Sequence, residues 1–170
     1  MPNGQNDPNA GKLFELIRDI RTCMMTTAEP DHSLHSRPMY SMEADENGHL
    51  WFFTKLQSPK VVEISKERQV NLAYADPDTQ HYVSISGVAE VVREKARIDE
   101  KWSEGLRTWF PEGKDDPSLA LIRVKAVRGE YWDSPSSTLV HLYSYVKGDP
   151  YRPVPGRARR AKEGEPALDL

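Results

Sequence analysis

Cysteine is almost missing from this 170-residue chain, where Cys23 stands alone. One thiol cannot close an internal disulfide, so a disulfide-stapled scaffold and any site built on several thiolates are excluded, and a reducing compartment is expected. Long apolar runs are missing as well. No stretch approaches the roughly 18 apolar residues of a membrane span, and the opening MPNGQNDPNAGK has no apolar signal region, so no membrane partner and a cytoplasmic location are expected. Nor is there an excess of positive charge: 23 Lys and Arg stand against 26 Asp and Glu, a formal charge of -3. Nucleic acid is therefore not the expected partner of the chain as a whole.

Several catalytic signatures are also absent. The chain has no G-x-G-x-x-G, no G-x-x-x-x-G-K-[ST], no H-E-x-x-H and no G-x-S-x-G. Dinucleotide fingerprint, P-loop, zincin and hydrolase-elbow chemistries thus lose their main warrant. His32 and His35 lie three apart in an expected loop without a cysteine or a further histidine nearby, and no metal site is expected. Cys23 falls in an apolar run and reads as a packed, inert thiol.

What remains is an ordinary globular composition, 38% hydrophobic and 29% charged, with 13 Pro and 10 Gly. It suits one well-cored domain. Residues 1–8 read as a flexible end, 9–147 as the domain, and 148–170 as a disordered tail in which Gly and Pro interleave with basic residues. Six basic residues between Lys147 and Lys162 allow an interaction role for that tail, although such runs are usually solvated ends.

Within the domain, Leu13, Leu16, Ile17 and Ile20 repeat at helical intervals, with Asn9 as a candidate cap. A first strand is expected over 22–27. Residues 36–42 and 49–54 read as a pair of strands flanking an Asn-Gly turn, with Pro38 confined to an edge or bulge. Ser58 can cap a short helix with Pro59 at its first position and Val61, Val62 and Ile64 facing inward. Strands follow around Val70 to Tyr74 and from His81 to Val92, the latter bent or closely approached at Gly87. Ile98, Trp102, Leu106 and Trp109 predict one helix over 94–110. Two short strands, 119–124 and 127–132, precede a helix over 135–146. The class is mainly β with inserted helices, and the bent Gly87 strand suits a small closing barrel.

Arg37, Ser58 and Lys60 carry the chemistry. Arg37 offers a planar fork of donors, Lys60 a compact cation, and the helix start at Ser58-Pro59-Lys60 presents unpaired N–H groups. Together these groups suit a phosphate, provided that the fold brings Arg37 to Lys60; exposed ion pairs are the commoner fate of such side chains.

The series Ser36-Arg37-Pro38-Met39, Leu50-Trp51-Phe52-Phe53-Thr54, Ser58-Pro59-Lys60 and Tyr131-Trp132-Asp133 resembles the general stress protein branch of the pyridoxamine 5'-phosphate oxidase-like flavoproteins. The resemblance spans roughly residues 12–147. It implies a split β-barrel of six or seven mostly antiparallel strands, a homodimer, and FMN at the subunit interface, with FAD also admissible. On the same ground Arg37, Lys60 and Ser58 would hold the phosphate, while Phe53 and Thr54 would lie beside the ring system. Trp132 resembles the aromatic residue near the last barrel strand of such proteins, and Trp109 would approach the cofactor across the dimer, although either ring also suits the core or a dimer seam. The segment 127–132 lacks the late Arg-x-His pair of pyridoxamine phosphate oxidases proper, so vitamin oxidation is not implied. The implied function is an FMN-binding general stress protein with a low-specificity flavin-dependent oxidoreductase activity. Flavin storage without turnover, and interaction through the basic tail, remain the alternatives.

Overall fold

The computed structural model of the chain describes residues 8–133 and 137–142. The expected basic tail and most of the flexible N-terminus lie outside them. Helix α1 spans Pro8–Ile20 and buries Ala10, Leu13, Leu16 and Ile17, the stripe that the periodicity predicts. It ends at Arg21, whose φ of 63° reverses the chain while its N–H donates to the Ile17 carbonyl.

Among the described residues seven strands follow: β1 (Thr22–Ala28), β2 (Leu34–Tyr40), β3 (His49–Lys55), β4 (Gln69–Asp76), β5 (His81–Val92), β6 (Leu119–Trp132) and β7 (Ser137–His141). Helix α2 (Pro59–Lys66) lies between β3 and β4, and helix α3 (Lys95–Lys101) with a 3-10 segment (Glu104–Thr108) between β5 and β6. All paired strands are antiparallel in one sheet of order β2-β1-β4-β5-β6-β3, with β7 also on β6. No helix among the described residues is long and apolar enough to cross a membrane.

The mainly β class with inserted helices holds, but the split β-barrel does not. The sheet is neither closed nor strongly curled, and its ladder path ends at β2 on one side and β3 on the other. Closure requires a ladder joining the terminal strands, and β2 and β3 are not hydrogen-bonded neighbours. The expected hairpin across Asn47-Gly48 fails for the same reason: β2 pairs with β1, in the register Met24 to Pro38, whereas β3 pairs with β6. Pro38 does occupy an edge strand, where a missing ladder donor is tolerated.

Three further elements depart from the sequence reading, the first being residues 119–132, which form the single strand β6 in place of two short strands. The single helix expected over 94–110 is broken, because Trp102 and Ser103 turn extended and Trp102 packs edge-on against Phe53 with ring centroids 5.7 Å apart. Residues 137–141 form a strand on β6 instead of a helix, with Leu139 exposed and the next residue, Val140, buried.

The core has two parts joined by β3. Leu50 and Phe52 point into the larger cluster, which α1 and α2 cover, while Trp51 and Phe53 point into a smaller one with Ile98, Leu106, Leu119 and Leu121. Burial on both faces explains why β3 lacks polar alternation. At Gly87 the β5–β6 register shifts, since Ser86 faces Arg128 but Gly87 faces Ala126. A Cβ on Gly87 would stand 2.6 Å from the Lys125 carbonyl oxygen. That oxygen is backbone and cannot swing aside, so Gly87→Ala is expected to cost about 1–3 kcal/mol by crowding, measured as a lowered denaturant midpoint with an unchanged slope.

Candidate functional site

A pocket of about 390 Å³ opens between β2, β3, the start of α2 and the 3-10 segment. Met39, Met42, Phe53, Leu106 and Phe110 supply apolar wall, and Tyr40 and Trp109 add rings that are 45% and 72% exposed. Polar groups converge from the end of β3 and the start of α2. Thr54 is buried, and its hydroxyl lies 3.0 Å from the Ser58 hydroxyl. Ser58 is the N-cap residue and Pro59 the first helical residue, as expected, but the Ser58 side chain makes no capping bond to the helix.

The cations around this pocket differ in commitment. Lys55 is held by the Asp116 carboxylate, with Glu112 3.7 Å away. Lys60 is half-buried, lines the pocket, and has no hydrogen bond or ion pair within 4 Å among the described residues. Burial pushes its ammonium below the usual lysine range, and the nearby Arg37 guanidinium pushes it the same way, against an opposing pull from Glu63.

Arg37 and Lys60 are thus electrostatic neighbours, although 22 residues lie between them in sequence. Their roles differ. The Arg37 guanidinium donates to Glu63 Oε2 at 2.6 Å and to the Thr27 hydroxyl, and it is not among the side chains lining the pocket. Thr27 in turn donates to Glu63 Oε2. Of the other expected residues, Phe53, Thr54, Ser58, Lys60 and Trp109 line the pocket together. Trp132 does not: it lies at the far end of β6, paired with Tyr82 and Ser137, whereas Phe53 faces Leu121. Eleven residues of strand, about 36 Å at ordinary rise, separate those two positions on β6.

The residue the sequence reading missed is Glu63. Val62, expected inside, is 51% exposed, and Glu63 is 6% exposed in its place. A signal existed: Lys60 and Glu63 stand at i and i+3 and so share a face with buried Ile64. Cys23 is buried, and desolvation pushes its thiol up to about 12, which fits the inert reading.

A family model described as pyridoxamine 5'-phosphate oxidase like matches residues 8–150. The chain belongs to that family, within its general stress protein branch. A solved general stress family protein of Xanthomonas campestris pv. campestris, itself described as putative, is 31% identical, with a TM-score of 0.65 over 79% of this chain and 94% of that one. The general stress FMN/FAD binding protein of Xanthomonas citri is 30% identical, with a TM-score of 0.63 over 76% and 91% of the two chains. Protein bli-3 of Neurospora crassa is 24% identical over 135 residues, which is 74% of this chain. The chain spans 65% of the length of that curated relative. Within the matched range, Arg37 and Lys60 are electrostatic neighbours, and Glu63 interacts with both.

Burial pushes the Glu63 carboxyl upward, but Thr27 and Arg37 outweigh it and hold the group below the usual carboxylate range. A carboxyl depressed by folding stabilises the protein above its unfolded pKa and loses that contribution as the pH falls through its folded pKa. Glu63→Gln should cost about 2 kcal/mol at pH 7, less than the ~3–5 kcal/mol of a fully buried broken pair, because the Arg37 side chain keeps 15% exposure. Urea titrations at neutral and acid pH check this: the difference from wild type should shrink as the pH drops below the usual carboxylate range.

Proposed function

We propose that this pocket binds a flavin mononucleotide, with Lys60, Ser58 and Thr54 around the phosphate and Phe53 and the apolar wall beside the ring. The observation that carries the reading is the half-buried, uncommitted Lys60 beside two hydroxyls in an otherwise apolar pocket. A cation kept out of water without a counter-ion is the arrangement an anionic ligand would complete. The pocket volume suits a flat organic ligand. The Xanthomonas citri relative, described as binding FMN or FAD, supports the same reading.

A bound flavin supplies electron or hydride transfer. Among the described residues, the lining contains neither histidine nor carboxylate. This chain's own contribution is then to hold the phosphate, exclude water from the ring and orient it, in support of a low-specificity flavin-dependent oxidoreductase. The same lack of a histidine or carboxylate in the lining also favours a second reading, flavin storage without turnover. Anaerobic mixing with NADH or NADPH separates them: rapid bleaching of bound flavin supports turnover, and a flavin that stays oxidised supports storage. A reducing, cytoplasmic setting suits a chain whose one thiol is buried.

The phosphate assignment has a direct check. Lys60→Ala should weaken FMN about 10- to 100-fold, the loss of one charge-assisted hydrogen bond, and leave riboflavin, which has no phosphate, nearly unchanged. Equal losses for both ligands would refute it. Arg37→Ala is the less clean test, since it also strands Glu63. Because Lys60 is depressed in the free protein, a bound phosphate should draw a proton onto it. FMN affinity measured above about pH 8, where the phosphate is fully ionised, should therefore fall with rising pH while riboflavin affinity stays flat.

Trp109, the residue expected to reach the cofactor across a dimer, lines the pocket of its own chain, so a second copy would instead have to supply Trp132. The ladders Tyr40 to Thr22, Ala75 to Tyr82 and Tyr82 to Trp132 put these residues along one row of the sheet, with Thr22 and Ala75 next to the paired Cys23 and Tyr74. Tyr40 and Thr22 line the pocket. Trp132 lies four strands away from Tyr40, about 19 Å at ordinary spacing, so a homodimer packed through this face is the route by which Trp132 of a second copy would reach the cofactor. Light scattering should give twice the chain mass, and Trp132→Ala should weaken FMN; a monomer that binds FMN tightly would rule this out.

A further inference from the structure

Outside the pocket, three side chains from three elements converge: Glu29 just after β1, His35 on β2 and Glu63 on α2. None of them lines the pocket. We propose that Glu29, His35 and Glu63 form a binding site for a divalent cation of borderline softness, with Zn²⁺ as its archetype. This proposal stands apart from the flavin reading.

The geometry carries it. His35 Nδ1 stands 3.4 Å from Glu29 Oε1 and 3.7 Å from Glu63 Oε1, and the three potential ligand atoms lie within 4.8 Å of one another. Those separations are wider than the ~2.7–3.2 Å of ordinary N–H to O hydrogen bonds. The two distances from His35 lie close to the edge of a tetrahedral site, where bonds of about 2.1 Å place ligand atoms about 3.4 Å apart, and the two carboxylates lie within 4.8 Å of each other. One imidazole and two carboxylates occupy three corners, and a fourth corner remains for water.

The outer shell is already in place. Glu63 Oε2 is held by Arg37 and Thr27, which leaves Oε1 as the oxygen nearest His35. A ligating carboxylate whose second oxygen is fixed by neighbours is the usual support of a metal site. The Glu63 side chain is 7% exposed, whereas Glu29 and His35 are 40% and 48% exposed, so an ion can enter from solvent. His32 is exposed and is not one of the three clustered residues.

The test uses the full chain, freed of metal by dialysis against a chelator. Zn²⁺ titration by calorimetry should give one site per chain, and Co²⁺ should develop the visible bands of a tetrahedral centre. His35→Gln and Glu29→Gln should each weaken Zn²⁺ about tenfold or more, on the scale of lost ligand-shell groups, and His32→Gln should leave it unchanged. Both key positions are half-exposed, so these variants retain the fold, and thermal melts verify it: Zn²⁺ should raise the midpoint of wild type and fail to raise that of His35→Gln. Absence of stoichiometric Zn²⁺ binding, or equal affinity in wild type and His35→Gln, overturns the site.

Discussion

A carboxylate buried beneath a short helix organises this end of the molecule. Glu63 reaches from α2 to the β1–β2 hairpin, where it holds the Arg37 guanidinium and the Thr27 hydroxyl on one oxygen. An ion pair of this kind contributes little net stability, because desolvation of both charges offsets their attraction, but removal of one partner strands the other. Its consequence is positional. β2 is an edge strand bonded along one side only, and the Glu63 contact ties it to the helix as well as to β1.

The same pair sorts the nearby positive charges. Arg37 is neutralised by Glu63 and Lys55 by Asp116, so Lys60 is left facing the pocket without a counter-ion among the described residues. Its position follows from local sequence: Ser58 and Pro59 start the helix, and the next residue emerges from the first turn into the pocket that Thr54 and Ser58 also line. The apolar wall comes from elsewhere, since Leu106 and Phe110 arrive on a segment more than 40 residues further along the chain. Trp102, edge-on to Phe53, anchors that segment against β3.

Much of this was readable beforehand where the signal was local. The stripe of α1, the Ser58-Pro59 helix start, the confinement of Pro38 to an edge and the tight approach at Gly87 each follow from residue chemistry over a few positions. The failures share a cause. Ile98 to Trp109 has helical spacing, yet packing of Trp102 on Phe53 interrupts the helix; Ser137 to His141 joins β6 although its apolar spacing also allows a helix. Val62 and Glu63 exchange their expected environments because Arg37, from a distant strand, makes burial of a carboxylate tolerable.

Residue types and their short-range spacing by themselves determined a mainly β domain, the start of the phosphate-type helix, and the presence of Arg37 and Lys60 as candidate cations. These properties depend on backbone geometry and on neighbours within a turn or a strand. Only the tertiary structure decided that the sheet stays open, that Arg37 turns to Glu63 while Lys60 faces the pocket, and that Glu29 and His35 meet Glu63. Each of those outcomes is a choice among partners far apart in the chain, set by which surfaces are buried together, and short-range spacing carries no term for that burial.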